Sequence, residues 1–513
     1  MSAGARAPHR GLITGSIMLA TIMQALDTTI ANVALPHMQG SLSATQDQIS
    51  WVLTSYIIAA AIMTPPTGFL ALRFGRRRVF AWAVGGFTVV STLCGIATSL
   101  PEMVFYRLLQ GVFGASLVPL SQSVLLDTFP RERHGSAMAM WGMGVMLGPI
   151  LGPTLGGYLT EYYNWRWVFY INVPFGALAL FGILAFVPET RLDRSRPFDV
   201  FGFTMLSIAI GAFQFMLDRG ELKDWFSSTE IVVEAGIAAL ALYMFVVHSF
   251  TAPRPFLDPH LFVDRNFTTG LVFIFMIGVI LLATLALMPP FLQNLAGFPV
   301  ITTGLVLAPR GIGTVFAMTI VGRLVGKVDP RFLILFGLSC TALSLWQMTG
   351  FTAAVDRSTI LQTGLLQGFG LGFIFVPLST ITFATLAPHL RTEAASLFSL
   401  MRNVGSSVGI SVVTAVLSQS TQINHATLVE HANPYNPAFR PPWLPAGWSL
   451  TDPAGLAALD QALTAQAATI GYLNDFKLMM YVTIAAMPML LLLRRPGGRA
   501  PARAAAGPAA AVD

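Results

Sequence analysis

The chain has 513 residues, of which 54% are hydrophobic and only 11% charged, and its mean hydropathy is +0.67. These values exclude an ordinary soluble domain and predict an integral membrane protein. The net charge of +6 would suggest nucleic-acid binding in a soluble chain, but basic residues in a membrane protein collect in loops on one side, so nucleic-acid binding is not predicted.

Apolar runs of about 20 residues, long enough to cross a hydrocarbon core of roughly 30 Å, recur along the chain. Divided at polar or Pro/Gly breaks, they predict fourteen helices near 12–35, 49–71, 79–99, 103–127, 136–159, 167–187, 199–217, 229–250, 267–288, 302–322, 331–350, 359–380, 393–418 and 476–493. The first run is full length and lacks a small-residue cleavage site, so we expect it to stay as helix 1.

This order predicts four regions. A six-helix bundle occupies 1–190, an inserted pair (helices 7 and 8) 191–260, a second six-helix bundle 261–495, and a cytoplasmic tail, predicted to be disordered, 496–513. With the N-terminus inside, 21 of the 30 Lys and Arg residues fall on the cytoplasmic side, six outside and three within helices. This bias supports an even number of helices with both termini in the cytoplasm.

One long outer segment, residues 419–475, is polar and rich in proline. We expect an extended region followed by a short amphipathic helix from Pro453 to Tyr472. Loops of this length are usually functional or disordered. Two functions stay open, a docking surface for an extracytoplasmic partner and a lid over the transport pathway.

Glycine and arginine mark the loop between helices 2 and 3, with Gly68, Arg73, Gly75 and Arg76 as the candidate conformational residues. A weaker copy, residues 322–331, stands between helices 10 and 11, as expected of transporters built from repeats. Glycine allows a tight turn and close helix approach, while arginine can bind helix C-terminal carbonyls and anionic lipid. A conformational role and simple topology anchoring both remain possible.

The first loop resembles the signature loop of major facilitator transporters, although Leu72 stands where the family usually has aspartate. Helix 4 contains Arg107-Leu108-Leu109-Gln110-Gly111, similar to the R-x-x-Q-G motif of that family. Helix 5 resembles the motif associated with antiporters at Gly148, Pro149, Gly152, Pro153, Gly156 and Gly157. Such glycine spacing is also typical of plain helix packing, but two prolines favour a kinked helix at a domain interface.

Three further segments narrow the resemblance to the drug:proton antiporter-2 family, of the EmrB/QacA type, and within it to EmrB-type inner-membrane pumps. These segments are residues 26–36 in helix 1, 165–174 at the start of helix 6, and 216–228 between helices 7 and 8. The resemblance implies an all-α major facilitator fold with fourteen membrane helices in the bacterial inner membrane. It also implies export of hydrophobic, often weakly acidic toxins together with an EmrA-type periplasmic adaptor and a TolC-type outer-membrane channel.

Charged side chains inside the membrane need a reason, because each costs at least roughly 3 kcal/mol near the bilayer centre. Asp27 lies about 13 Å below Pro36 in helix 1, and Arg107 lies about 9 Å below the outer end of helix 4. In the major facilitator arrangement both helices line the central cavity, so Asp27 and Arg107 are predicted to pair and to couple transport to protons. A purely structural ion pair is the alternative.

The remaining candidates are polar residues of the predicted substrate cavity: Asn32, Gln110, Arg310 and Arg402. For Arg310, nearer the surface, extension toward the interface is an equal alternative. An excess of arginine over acid favours neutral or anionic substrates.

The predicted function is proton-coupled antiport of hydrophobic, neutral or weakly acidic compounds, driven by the proton motive force without a cofactor. The sequence contains no GxxxxGK[ST] motif, so an ATP-driven pump is not predicted. Cys94 and Cys340 lack CxxC spacing and the histidines fall in loops or near helix ends, so neither a metal site nor an enzyme is predicted. Export of an endogenous metabolite such as a siderophore, or of cationic drugs, remains an alternative.

Overall fold

The computed structural model describes residues 10–130, 133–190, 192, 197–253, 255–387, 390–433, 435–436 and 448–494. The predicted tail, residues 496–513, lies outside the described residues. The side chains of Pro149 and Pro153 lie outside them as well, although the backbone there is helical.

The first bundle contains six helices, three of them in two segments. They are α1 (Arg10–Ser41), α2 (Trp51–Met63 and Thr67–Phe74), α3 (Arg76–Ile96), α4 (Leu100–Gly114 and Leu117–Thr128), α5 (His134–Tyr162) and α6 (Trp167–Tyr170 and Asn172–Phe186). The two segments of α2 meet at an angle of 57°. Pro65 and Pro66 stand at this bend, and proline breaks a helix because it lacks the N–H donor and clashes with the preceding turn.

The inserted pair is α7 (Val200–Arg219) and α8 (Thr229–Thr251). The second bundle contains α9 (Arg265–Pro290, continued by a π-helical turn at Phe291–Leu295), α10 (Val300–Leu324), α11 (Pro330–Met348), α12 (Arg357–Ala384), α13 (Arg391–His431) and α14 (Pro453–Ala486, continued by a 3₁₀ turn at Met487–Leu492). Aspartate side chains cap the starts of five of these helices by accepting backbone N–H bonds: Asp199, Asp264, Asp329, Asp356 and Asp452.

Twelve of these helices are long and apolar enough to cross a membrane, and the bent α2 makes thirteen. With 29 residues, α5 is also long enough to cross. The described helices are therefore consistent with the predicted fourteen.

The prediction for the outer segment 419–475 was right about a helix that starts at Pro453 and wrong about where the adjoining membrane helices end. The predicted extended region falls mostly on residues 434 and 437–447, which lie outside the described residues. Helix α13 continues to His431 and α14 begins at Pro453, so the predicted short helix and helix 14 are one element. The two helices remain paired beyond the membrane, where His425 Nε2 lies 3.0 Å from Asp460 Oδ1 and Asn474 Nδ2 donates to Ser420 Oγ at 2.8 Å. We call residues 419–431 with 453–474 the outer hairpin.

The internal repeat is visible in the backbone of two turns. Gly75, between α2 and α3, has φ +94°, and Gly326, at the corresponding position between α10 and α11, has φ +96°. Glycine adopts this left-handed region without steric cost, whereas other residues rarely do. The weaker copy noted in the sequence therefore forms the same kind of turn as the first.

The glycines of α5 allow close packing against α1. A Cβ at Gly148 or Gly152 would collide with Ala25 or Thr29, and Thr29 Oγ1 donates to the carbonyl of Gly148 at 3.0 Å. Gly157 faces open space. On another side α5 meets α10 of the second bundle, so this helix lies at the interface between the bundles.

The inserted helix α7 touches both bundles with two consecutive residues. Asp218 Oδ2 accepts a hydrogen bond from Thr54 Oγ1 of α2 at 2.6 Å, and the carbonyl of Leu217 accepts one from Ser411 Oγ of α13. The pair is therefore attached to both bundles at the end that is predicted to face outward.

Candidate functional site

We call the end of the bundle that carries Arg73, Arg76 and Arg391 the inner end, following the prediction that it faces the cytoplasm. In the outer half of the first bundle, α1, α4 and α6 bring four polar side chains together. Arg107 Nη1 donates to Asp27 Oδ2 at 2.8 Å. Gln110 Nε2 and Asn172 Nδ2 each donate to Asp27 Oδ1 at 2.9 Å. These four residues form the buried acid site.

Arg107 has contacts other than its ion pair with Asp27. Its Nε donates to the carbonyl of Val52 at 3.0 Å and its Nη1 to Gln110 Oε1 at 2.8 Å. The guanidinium carbon lies 4.4 Å from the centre of the Tyr56 ring, a distance typical of cation–π contact. Arg107 therefore keeps partners on α2 and α4 if Asp27 becomes neutral.

The buried acid site is closed to water. Asp27 and Gln110 are 0% exposed, and Arg107 and Asn172 are 1% exposed. The two oxygens of Asp27 accept three hydrogen bonds from donors, an arrangement that matches an ionised carboxylate. Water therefore reaches Asp27 only after a structural change that opens a path to its carboxylate.

Asn172 was missed as a site residue by sequence reasoning. It was visible only inside the segment 165–174, which carried family resemblance but no stated role. Ser91 of α3 accepts from Asn172 Nδ2 at 3.0 Å and donates to the carbonyl of Phe169 at 2.9 Å. This second layer of hydrogen bonds fixes the orientation of the amide that binds Asp27.

The predicted cavity residues occupy different environments. Gln110 belongs to the buried acid site and lines no open space, while Asn32, one turn further out on α1, is exposed. Arg310 is 8% exposed and donates from Nη2 to the carbonyl of Leu281 at 3.3 Å, so it lies inside the second bundle. Arg402 is half-buried in α13, and no acidic partner is recorded for Arg310 or Arg402 in the part of the chain that the structure describes.

A second cluster closes the inner end. Asp127, near the inner end of α4, lies 2.6 Å from Arg76 Nη1 of α3 and 2.8 Å from Arg391 Nη1 of α13. Thr392 meets Ser123 Oγ at 2.8 Å. We call these five residues the inner gate.

The close contact between α2 and α13 requires glycine at position 68. A Cβ there would lie 2.9 Å from the Cα of Glu393 at the start of α13, so only glycine lets α2 and α13 approach this closely. Arg73, in the last turn of α2, is partly exposed. Leu72 provides no acid, and Asp127 supplies the negative charge of the gate instead.

Further contacts between the bundles lie above the inner gate. Trp141 of α5 is fully buried and stacks on Phe375 of α12 at 5.7 Å, while its Nε1 donates to Ser121 Oγ at 2.7 Å. Beside this pair is a void of about 10 Å³ lined by Met146, Ile277, Leu281, Thr314, Met318, Leu371 and Phe375. It holds no more than a water molecule. Among the described residues, hydrogen bonds that join the two bundles directly lie in this inner half, so the structure is closed on the inner side.

No group of three or more metal-ligating side chains occurs within the described ranges. The buried acid site instead holds one carboxylate, one guanidinium and two amides in direct contact. Buried polar residues inside the membrane-spanning helices, two six-helix bundles and a gate between them define a secondary transporter.

Comparison with known proteins agrees with this class. The model of the Major Facilitator Superfamily matches residues 17–410. Multidrug export protein EmrB of Escherichia coli (strain K12) is 38% identical over 429 residues, covering 83% of this chain and 84% of that protein. Fatty acid resistance protein FarB of Neisseria gonorrhoeae is 35% identical over 487 residues, covering 94% and 96%.

Solved structures share the fold. The human organic anion transporter MFSD10 (TETRAN) has a TM-score of 0.60 at 15% identity, covering 93% of this chain and 99% of that one. A bacterial homologue of the lysosomal transporter Spinster has a TM-score of 0.53 at 16% identity, covering 94% and 97%. The chain belongs to the Major Facilitator Superfamily and, within it, to the group of the EmrB-type multidrug export proteins. The predicted fold, and a transporter rather than an enzyme, are thereby confirmed.

The inner gate is testable by thiol labelling. In a chain with Cys94→Ser and Cys340→Ser, we introduce Ser123→Cys, which lies in the closed interface. Adding Asp127→Asn removes both ion pairs of the gate. We then expect a membrane-impermeant maleimide, applied from the inner side, to react with the introduced cysteine roughly tenfold faster. This factor corresponds to about 1.4 kcal/mol of gate stability lost with two partly exposed ion pairs.

Glu189→Gln is the matched control, because Glu189 pairs with Arg78 inside the first bundle at 3.9 Å and does not cross the interface. Equal labelling rates in the Asp127→Asn variant and in this control would show that the ion pairs do not hold the gate closed.

Proposed function

We propose that the protein exports hydrophobic compounds in exchange for protons, with Asp27 as the proton-binding group. The observation that carries the proposal is the buried acid site. Asp27 is an acid with no exposure, it is bound by donors from two other helices, and it lies inside a membrane-spanning helix.

The geometry suggests how exchange proceeds. In the inner-closed state Asp27 is ionised and its charge is balanced by Arg107. When water reaches the site from outside, a proton neutralises Asp27 and releases it from Arg107, which keeps the Val52 carbonyl, Gln110 Oε1 and the Tyr56 ring as partners. The loss of one ion pair between α1 and α4 then permits α1 to move against α4, and the proton leaves on the inner side.

The driving force is sufficient. One charge moving through 100 mV yields about 2.3 kcal/mol. One pH unit adds about 1.4 kcal/mol. Together they support several-hundredfold accumulation for each proton, because every 1.4 kcal/mol is about a factor of ten.

The interface between the bundles favours hydrophobic substrates without positive charge. The small void beside Trp141 and Phe375 is lined by methionine, leucine, isoleucine, phenylalanine and one threonine, and methionine adapts to varied apolar shapes. Arg310 and Arg402 add positive charge on the second bundle. The relative named for fatty acid resistance, at 35% identity, supports weakly acidic amphiphiles as one substrate class. A metabolite exporter and a cation pump remain the alternatives to be tested.

The first test measures proton release from inside-out vesicles after addition of a weakly acidic hydrophobic drug. We expect release from the wild type and none from Asp27→Asn, because an amide cannot carry the proton. Glu161→Gln, which changes an exposed acid at the outer end of α5, is the control and should behave as wild type. Equal release from Asp27→Asn and wild type would move the coupling site elsewhere.

Substrate charge is tested at Arg402. The half-buried guanidinium attracts an anion, so Arg402→Met should lower efflux of a weakly acidic drug by roughly tenfold, about 1.4 kcal/mol, and leave a neutral drug of similar size unchanged. Lys477→Met, an exposed position on α14, is the control. An equal loss for both drugs would assign Arg402 to packing instead.

The outer hairpin supports a role in assembly with an EmrA-type adaptor, which in turn would connect to a TolC-type channel. Helix α13 has 41 residues, about twice the number needed to cross a membrane. Its outer part exposes Ile423 (58%) and Val429 (43%). Apolar groups that project from the membrane into water are typical of protein–protein contacts.

Two aspartates on this surface test the assembly role. Ile423→Asp with Val429→Asp should abolish copurification with a co-expressed EmrA-type adaptor while drug transport in vesicles without adaptor stays intact. Thr427→Asp, exposed on the same helix, is the control. Loss of vesicle transport with normal adaptor binding would favour the alternative, a lid over the pathway.

A further inference from the structure

The last membrane helix contains a second buried acid that the sequence analysis placed in a loop. Asp475 of α14 is 0% exposed, and neither of its carboxylate oxygens has a hydrogen-bond partner among the described residues. It lies between Tyr472 and Phe476, both part of the apolar core of the second bundle. An ionised carboxylate in such a place would lose its hydration without any compensation.

Among the described residues, no charged group balances Asp475. Helix α14 packs against α13, α11 and α9 and against the turns 291–295 and 487–492. On α13, Val413 belongs to the apolar core around Asp475, and Arg402 lies about three turns nearer the inner end than Val413. His425 of α13 lies further out and pairs with Asp460. The basic residues of α9 and α11, Arg265 and Arg331, are at their inner ends. On α14 itself Lys477 is exposed and forms no ion pair with Asp475.

The second bundle contains a segment that corresponds to the buried acid site of the first bundle. Leu108-Leu109-Gln110-Gly111 of α4 recurs as Leu365-Leu366-Gln367-Gly368 in α12, the corresponding helix of the repeat. Gln110 donates to Asp27 of α1, and Gln367 Nε2 donates to Thr284 Oγ1 of α9 at 3.4 Å. Thr284 therefore occupies the place of Asp27 in the second bundle.

The glycines after these glutamines correspond as well. Gly111 leaves no room for a Cβ against Tyr56 of α2, and Gly368 leaves none against Arg310 of α10. The cation therefore comes from α10 in the second bundle, while Gly364 replaces Arg107 in the repeated segment. The second bundle thus has a glutamine at the position of Gln110, but its charged residues stand on other helices than those of the buried acid site.

The sixth helix of each bundle completes the comparison. In the first bundle α6 supplies Asn172, a donor to Asp27. In the second bundle α14 supplies Met479, whose sulfur accepts from Thr284 Oγ1 at 3.7 Å, and Asp475, one turn further out. Within the described residues, Gln367 Oε1 is also a buried acceptor without a donor. A proton on Asp475 would neutralise a carboxylate that has no donor of its own among the described residues.

We propose that Asp475 is a second proton-binding site, which holds its proton in the inner-closed state while Asp27 is ionised. Movement of α14 that admits water allows the Asp475 carboxyl to release the proton to that water, so the two bundles carry protons in opposite phases of the cycle. The inference rests on the proposed function, because a second proton matters only if transport is coupled to protons.

Infrared spectroscopy of the full chain in lipid vesicles tests the protonation state directly. At neutral pH the wild type should show the C=O stretch of a protonated carboxyl that Asp475→Asn lacks and Asp27→Asn retains. In Asp475→Glu the acid is kept, so its band should change position without disappearing. An unchanged band in Asp475→Asn, or no such band in the wild type, would overturn the proposal.

Counting protons per drug molecule in the same vesicles separates this inference from the proposed function. We expect the ratio in Asp475→Asn to be one lower than in wild type, while Asp27→Asn abolishes exchange. Proton exchange with the same ratio in Asp475→Asn and wild type would refute the second site alone. No proton exchange by the wild type would refute the proposed function itself. Asp475→Glu, with the wild-type ratio restored, controls for a merely structural loss.

Discussion

The pairing of Asp27 with Arg107 is the interaction on which the rest of the structure depends. Removing either partner would leave an uncompensated buried charge, a change that costs about 3 to 5 kcal/mol in proteins. The pair also recruits α2 through the Val52 carbonyl and α6 through Asn172. Four helices of the first bundle are therefore fixed relative to one another around a single charge pair, and this bundle moves as a unit while the pair is intact.

The second bundle and the interface between the bundles are built differently. Arg310 and Asp475 lie in the same bundle without balancing one another, and the inner gate consists of ion pairs that are partly exposed. Partly exposed pairs are worth little individually, so they can be broken and reformed during a transport cycle. The stable element is thus the buried site in the first bundle, while the changeable elements are the gate and the second bundle.

The sequence allowed the Asp27–Arg107 contact to be predicted because both helices have countable outer ends and each holds one charge in an apolar run. It could not pair Asp127 with Arg391, which are 264 residues apart and both near helix ends. The error at 419–475 has a different cause. Hydropathy locates a helix where apolar residues begin, but α13 and α14 stabilise each other beyond the membrane, so their polar turns remain helical. Asp475 was assigned to the outer loop for the same reason, because it directly precedes the apolar run.

Helix α13 is continuous from Arg391 in the inner gate to His431 in the outer hairpin, a length of about 60 Å. A continuous helix transmits tilt along its length, so a movement of α13 that opens the inner gate would also displace the outer hairpin. Linkage makes such a relation reciprocal. Any partner that binds the outer hairpin more tightly at one tilt would bias the inner gate by the same free energy, without contact with drug or proton.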